Sequence, residues 1–287
     1  MIGRLPELVF VAMAMATFCQ AEGLTIRNTA LSTSDGGEGV DAKHTYLTGE
    51  TVYFSFQAFG FTKKADEDER DHIQLEYLVT AKDKAGVLLD KPRAGKINEE
   101  LTPQDKEWLP KVNGSFVLPD TLFSGEYQVE IELRDSNSSA VAKLKTPFLV
   151  RGGRKQPAAE LMSVLTIDEV RFFRDEEGTQ SANPATYRSG DAIHVRFQIA
   201  GFTVKDNNRY QVSYGVKVLR ADRTLVFAQP EAASEKDQTF YPRGYLTGSL
   251  NFFLDKKNAL GQYTLAIELR DDLSEKKQLT EFPFTLQ

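Results

Sequence analysis

Residues 24–64 and 165–205 are one passage written twice, LTIRNTALSTSDGGEGVDAKHTYLTGETVYFSFQAFGFTKK and LTIDEVRFFRDEEGTQSANPATYRSGDAIHVRFQIAGFTVK, and they align without a gap. Both end on Gly-Phe-Thr-x-Lys. The likeness resumes downstream, where GEYQVEIELRD (125–135) matches GQYTLAIELRD (261–271) and each is followed by Pro-Phe, at 147–148 and 283–284. A period near 140 residues is too long for a solenoid and suits a whole domain. Each copy must therefore complete a hydrophobic core within its own length, and each is long enough to do so without metals or disulfides.

The repeated passages read as strands. In Thr51–Phe56, Val52, Phe54 and Phe56 fall on one side, with Tyr53, Ser55 and Gln57 on the other. Ile193, Val195 and Phe197 alternate in the same way with His194, Arg196 and Gln198. Tyr127, Val129, Ile131 and Leu133 share one face of the downstream segment, and Tyr263, Leu265, Ile267 and Leu269 share it in the second copy. A period of two with one apolar face is a half-buried strand. Further strands are expected at 74–81, 115–118, 140–145 and 148–150, and at 211–219, 225–228, 249–254 and 282–286. Thr102 followed by Pro103 carries the one helix signal, a single capped turn. Short strands separated by polar turns predict an all-β chain of antiparallel sandwiches.

The N-terminus has a different character. Arg4 precedes an apolar run from Leu8 to Phe18, and small residues follow up to Ala21. The run is too short to span a bilayer and reads as a secretory leader. The expected division is a leader at 1–21, a sandwich at 22–150, a linker at 151–163 (RGGRKQPAAELMS) and a second sandwich at 164–287. Cys19 is the only cysteine and lies in the leader. Cleavage after Ala21 removes it; the alternative is a lipid anchor on Cys19, which the bulky Phe18 before it disfavours. A mature chain without cysteine has no thiol catalysis, thiolate zinc site or disulfide. No later stretch is apolar enough for a membrane span, so no integral membrane segment is expected in the mature chain. The net charge of −6 and the lack of a basic cluster exclude a nucleic-acid surface. The expected location is the periplasm or the cell exterior.

Gly125-x-Tyr127-x-Val129 and Gly261-x-Tyr263-x-Leu265 resemble the Gly-x-Tyr-x-Cys corner of immunoglobulin-like domains, with an aliphatic residue in place of the cysteine. The starts Tyr46–Val52 and Tyr187–Ile193 resemble the opening strands of bacterial immunoglobulin-like and macroglobulin-type modules. The resemblance implies two tandem immunoglobulin-like antiparallel β-sandwiches. It gives Tyr127 and Tyr263 the role of tying their hydroxyls back to nearby backbone, with Gly125 and Gly261 as structural partners. It implies nothing specific about function, since the architecture hosts many roles.

Candidate chemistry is sparse. His44, His72 and His194 lack partners at metal-ligand spacing, and no nucleophile motif is present. The acidic run 66–71 offers Asp66, Asp68 and Asp71 as calcium ligands, or else forms a solvated loop. The Leu-Arg-Asp ends, with Asp135 and Asp271, read as turn starters, where a carboxylate accepts from backbone two residues on. Trp108, Tyr241 and Tyr245 fall in the less repeated middle segments, 83–114 and 220–247. They read equally as interface anchors and as plugs at a sandwich end. No cofactor is implied. The reading is an exported, non-catalytic binding module with a protein or surface-polymer partner. A structural spacer or scaffold subunit is the alternative, and an enzyme of unfamiliar type comes third.

Overall fold

The computed structural model describes residues 23–67, 70–102, 104–105, 107–155 and 163–287. The expected leader with Cys19, the residues Asp68 and Pro103, and 156–162 of the expected linker lie outside the described residues.

The first half of the chain runs through β1 (Thr25–Ser32), β2 (Thr45–Leu47), β3 (Thr51–Phe59), β4 (Lys64–Ala65), β5 (Asp71–Lys82), β6 (Arg93–Leu101), β7 (Lys111–Val117), β8 (Phe123–Asp135) and β9 (Val141–Arg151). One sheet has the order β1-β3-β7. The other runs β2-β9-β8-β5, with β4 and β6 both paired to β5. After β10 (Arg154–Lys155) the pattern recurs in β11 (Thr166–Phe173), β12 (Thr186–Tyr187), β13 (Ala192–Ala200), β14 (Arg209–Arg220), β15 (Leu225–Gln238), β16 (Tyr245–Phe253), β17 (Gly261–Asp271) and β18 (Lys277–Leu286). Its sheets are β11-β13-β16 and β12-β18-β17-β14-β15. These are two immunoglobulin-like β-sandwiches. In each, a short strand (β2 or β12) crosses to pair in parallel with the last strand, while the main ladders are antiparallel.

The expected alternation is what fills the cores. Val52, Phe54, Phe56 and Ala58 of β3 are buried and their neighbours are not. Tyr127, Val129, Ile131 and Leu133 face them from β8. Ile193, Val195, Phe197 and Ile199 meet Tyr263, Leu265, Ile267 and Leu269 in the second core. Packing two such faces removes apolar surface from water, at about 1.5–3 kcal/mol for each large side chain fully buried. Phe56 and Phe197 are fully enclosed and sit edge-on to Tyr77 and Tyr214, with ring centroids 6.0 and 5.2 Å apart. The first strand of each half carries the same bulge, with a positive φ at Asn28 and at Glu169.

Several elements differ from the sequence reading. The strands expected at 140–145 and 148–150 are one strand, β9: Pro147 stands opposite Gln128, where the alternation of the ladder turns its nitrogen away from β8, so the missing N–H does not break the pairing. The middle segment of the first half holds the nine-residue β6, and that of the second half holds the fourteen-residue β15. Within the expected linker, Arg154 and Lys155 pair in parallel with the start of β8. Among the described residues, no helix is long and apolar enough to cross a membrane.

Candidate functional site

The twice-written motifs build matching polar sockets. Asp135 ends β8, fully buried. Its Oδ2 accepts from the Thr62 backbone N–H at 2.7 Å and from the Ser138 hydroxyl at 2.7 Å, and its Oδ1 accepts from the Asn137 N–H at 2.9 Å. Asp271 repeats the arrangement with the Thr203 N–H at 2.7 Å, the Ser274 hydroxyl at 2.7 Å and the Leu273 N–H at 3.1 Å. Burial alone pushes these carboxyls up. The hydrogen bonds from Ser138, Thr62 and Asn137 in one case, and from Thr203, Ser274 and Leu273 in the other, outweigh it and hold both below the usual range. The Gly-Phe-Thr corner and the Leu-Arg-Asp end are thus two halves of one tie. The Asx turn was readable in the sequence; the partner threonine was not. Its signal was the joint recurrence of the two motifs in both copies.

The tyrosines of the resemblance close similar local loops. The Tyr127 hydroxyl donates to Phe123 O at 2.9 Å and that of Tyr263 to Ala259 O at 2.6 Å. Gly261 opens β17 at φ +133°. Gly125 has no positive φ, and a Cβ there meets nothing within 4 Å.

Trp108 is half-buried and packs on the first core. Tyr241 belongs to the second half of the chain yet also packs on the first core, and its hydroxyl donates to Asp83 Oδ2 at 2.9 Å. Tyr245 is buried and lies 5.7 Å from the Phe123 ring. Arg154 Nη2 meets Asp168 Oδ2 at 2.5 Å, and Arg243 Nη1 lies 3.6 Å from Asp120 Oδ1. Together these residues form a junction between the sandwiches. Beside it is a cleft of about 720 Å³ walled by Phe123, Tyr127, Phe202, Val204, Tyr241 and Arg243. Asp83, Asp120 and Phe123 also belong to this junction, and the sequence did not single them out because each looks like an ordinary turn or strand-start residue.

The acidic run is engaged by groups of its own chain. Asp66 Oδ2 sits 2.8 Å from His72 Nε2, and its Oδ1 accepts from the Arg70 N–H at 2.9 Å. Asp71 Oδ2 lies 3.5 Å from Lys63 Nζ. Asp68 lies outside the described residues. Among the described residues, no group of three or more His, Cys, Asp or Glu side chains converges as metal ligands would.

The second sandwich carries one further feature. On its open side, between β15 and β16, is a groove of about 520 Å³ lined by Val226, Phe227, Phe252, Phe253 and Leu254, with Asp255 at one end. Phe227 and Phe252 stack at 6.1 Å. Phe253 is 73 % exposed, the highest among the large apolar side chains of the described residues. A hydrophobic trough with a few polar groups at its margin can take an apolar side chain and fix the backbone on either side of it.

The fold and these sites define a two-sandwich, immunoglobulin-like, all-β protein. No protein-family model and no curated protein sequence matches the chain. Among solved structures it is similar to the wild-type C-terminal domain of the AgI/II polypeptide BspA of Streptococcus agalactiae, with 11% identity over 92% of this chain and 99% of that chain, at a TM-score of 0.28. A second structure, BspA_C_WT, is 11% identical over the same shares of the two chains, at a TM-score of 0.29.

Proposed function

We propose that the chain is an exported, non-catalytic interaction protein, with residues 1–21 removed as a leader and modules at 22–150 and 164–287 that engage a protein or a surface polymer. The observation that carries this reading is the apolar groove of the second sandwich beside the exposed Phe253. The polar residues that recur in both copies serve the fold, as Asp135 and Asp271 do. Recognition therefore belongs to what the copies do not share, and the groove is such a feature. The test is capture from an envelope fraction by the immobilised full chain. A partner retained by the unmodified chain and lost on Phe253→Asp supports the reading. Retention of nothing, or retention indifferent to Phe253, sinks it.

The junction favours a second role, that of a stiff spacer. Tyr241, Arg154, Arg243 and Phe123 link the two sandwiches through hydrogen-bonded, ionic and aromatic contacts, more than a free hinge uses. Residual dipolar couplings that fit one common alignment tensor for both halves support it; two independent tensors overturn it.

A further inference from the structure

The open side of a sandwich leaves the edge strand of its smaller sheet exposed, and the two copies treat that edge differently. In the first, β7 is the edge. Arg93 Nε donates to Ser115 O at 2.9 Å, and the Val117 N–H donates to Asp90 Oδ2 at 3.2 Å. Arg93 and Asp90 are themselves paired at 2.7 Å. The ion pair therefore occupies the acceptor and the donor that a neighbouring strand would use.

In the second sandwich β16 is the edge. Its pairing with β13 matches that of β7 with β3 and aligns Asn251 with Ser115 and Phe253 with Val117. The Tyr214 hydroxyl donates to Ser249 O at 3.0 Å and lies 3.4 Å from Ser249 N, so the backbone groups of Ser249 point away from β13. Antiparallel pairing alternates, which sends those of Asn251 and Phe253 the same way. Across the opening, Arg93 pairs with Val79 and Gln229 with Val216, and these two valines hold equivalent places against Ile131 and Ile267. Gln229 thus stands where the first sandwich has Arg93. Among the described residues no side chain hydrogen-bonds to Asn251 O or to Phe253 N. Tyr245–Leu254 has no charge and no proline, the usual devices that keep an edge strand from pairing. The neighbouring β15 edge has them, with Pro230 at a bulge and Glu231, Glu235, Lys236 and Asp237 along it.

We propose that the β16 edge at Asn251–Phe253 takes an added strand: an extended segment of a partner protein, paired to Asn251 O and Phe253 N–H, with an apolar side chain in the groove of Phe227 and Phe252. This rests on the interaction reading above and names the partner's chemistry. Charge complementarity refines it. The groove lining carries one carboxylate, Asp255, and no lysine or arginine, so the segment is apolar with a basic flank and not acidic. A second copy of this chain fits less well. Its own β16 has committed Phe252 to its own core, and symmetric pairing leaves the groove unfilled. A free strand has side chains to give.

The experiment selects from a display library of random unstructured peptides on the full two-sandwich chain. Amide hydrogen exchange then follows the enriched peptides. Enrichment of alternating apolar sequences with a basic end, and slowed exchange at Asn251 and Phe253, is expected. Two variants close the edge in different ways. Gln229→Arg supplies the guanidinium of the first sandwich, and Asn251→Pro, at the groove's margin, removes an outward edge N–H next to the two pairing groups while leaving Phe227, Phe252 and Phe253 in place. Each is expected to weaken peptide binding about tenfold or more while circular dichroism stays unchanged. No enriched peptide, protection elsewhere, or full affinity in a folded Gln229→Arg variant overturns the proposal. A dimer in sedimentation that Gln229→Arg abolishes overturns it in favour of self-pairing. An envelope partner still captured by the Gln229→Arg chain leaves the interaction reading standing and removes only strand addition.

Discussion

The Tyr241 hydroxyl donates to the Asp83 carboxylate at 2.9 Å, joining two residues 158 positions apart in the chain. Tyr241 lies between the end of β15 and the start of β16, and Asp83 follows β5, so the bond ties one sandwich to the other. Burial raises the Tyr241 hydroxyl's affinity for its proton, and the Asp83 charge raises it further. The phenol therefore stays a donor through the physiological range. Asp83 also organises its own turn by accepting from the Ala85 and Val87 N–H groups, both at 2.9 Å. The contact point on the first sandwich is thereby held in place before Tyr241 reaches it.

Tyr241→Phe keeps the ring packed on the first core and removes only the hydrogen bond. A bond to a charged acceptor is worth about 1.5–3 kcal/mol when buried, and this one is half-buried, so about 1 kcal/mol is expected in chemical denaturation. The sharper readout is geometric. Residual dipolar couplings of the two halves are expected to lose their common tensor in the variant, and an unchanged tensor refutes the tie.

Asp135→Asn and Asp271→Asn test the repeated sockets. Asn supplies one acceptor oxygen where the carboxylate supplies two, and its amide faces donors. A loss of about 2–3 kcal/mol is expected for each. The pH dependence has a definite sign. Both carboxyls are held below their ordinary value in the folded chain, so their stabilisation is present above the unfolded carboxylate value near 4 and is lost as pH falls below it. The acid limb of the stability curve is expected to flatten in each variant. An acid limb that matches the unmodified chain contradicts the assignment.

Gly201 and Gly49 separate two reasons for glycine. Both have positive φ, +73° and +82°. A Cβ at Gly49 meets nothing within 4 Å, whereas at Gly201 it lies 1.8 Å from Val164 O. Gly49→Ala is expected to cost about 1 kcal/mol, the penalty of the conformation alone. Gly201→Ala must also displace the backbone entering β11 and is expected to cost about 4 kcal/mol or more. Equal midpoints for the two variants in denaturant refute this distinction.

The alternating faces of β3, β8, β13 and β17 were legible because period-two burial is written directly in side-chain type. The repeat itself is written in the residues, at 24–64 and 165–205, and needs no knowledge of contacts. Three things were not. The Thr62–Asp135 tie joins positions 73 residues apart, through a threonine's main-chain N–H that any residue but proline would offer. The junction depends on Asp83 and Asp120, which read as turn residues until a second sandwich meets them. The β16 edge became visible only by difference, because Gln229 means little until Arg93 is seen at the equivalent place capping Ser115. Its one sequence signal, the uncharged stretch 245–254, looked like an ordinary half-buried strand.

Tyr46 and Tyr187 occupy equivalent places in the two copies and are equally buried, at 1% exposure each. Burial pushes both phenols up to about 12. They differ in one bond. The Tyr187 hydroxyl donates to Phe173 O at 3.0 Å, while the Tyr46 hydroxyl has no hydrogen-bond partner. Removing a satisfied buried hydroxyl costs about 1 kcal/mol, and removing an unsatisfied one relieves a desolvation penalty of similar size. Tyr187→Phe is therefore expected to destabilise by about 1 kcal/mol and Tyr46→Phe to leave stability unchanged or raise it by about as much. At high pH the two variants converge in behaviour. A raised phenol contributes stability that is complete below the unfolded value near 10 and is lost as pH climbs towards 12. Each substitution is expected to remove part of that alkaline loss. Denaturant midpoints at neutral pH and again near pH 11 measure both effects, and a loss of stability in Tyr46→Phe at neutral pH equal to that in Tyr187→Phe refutes the contrast.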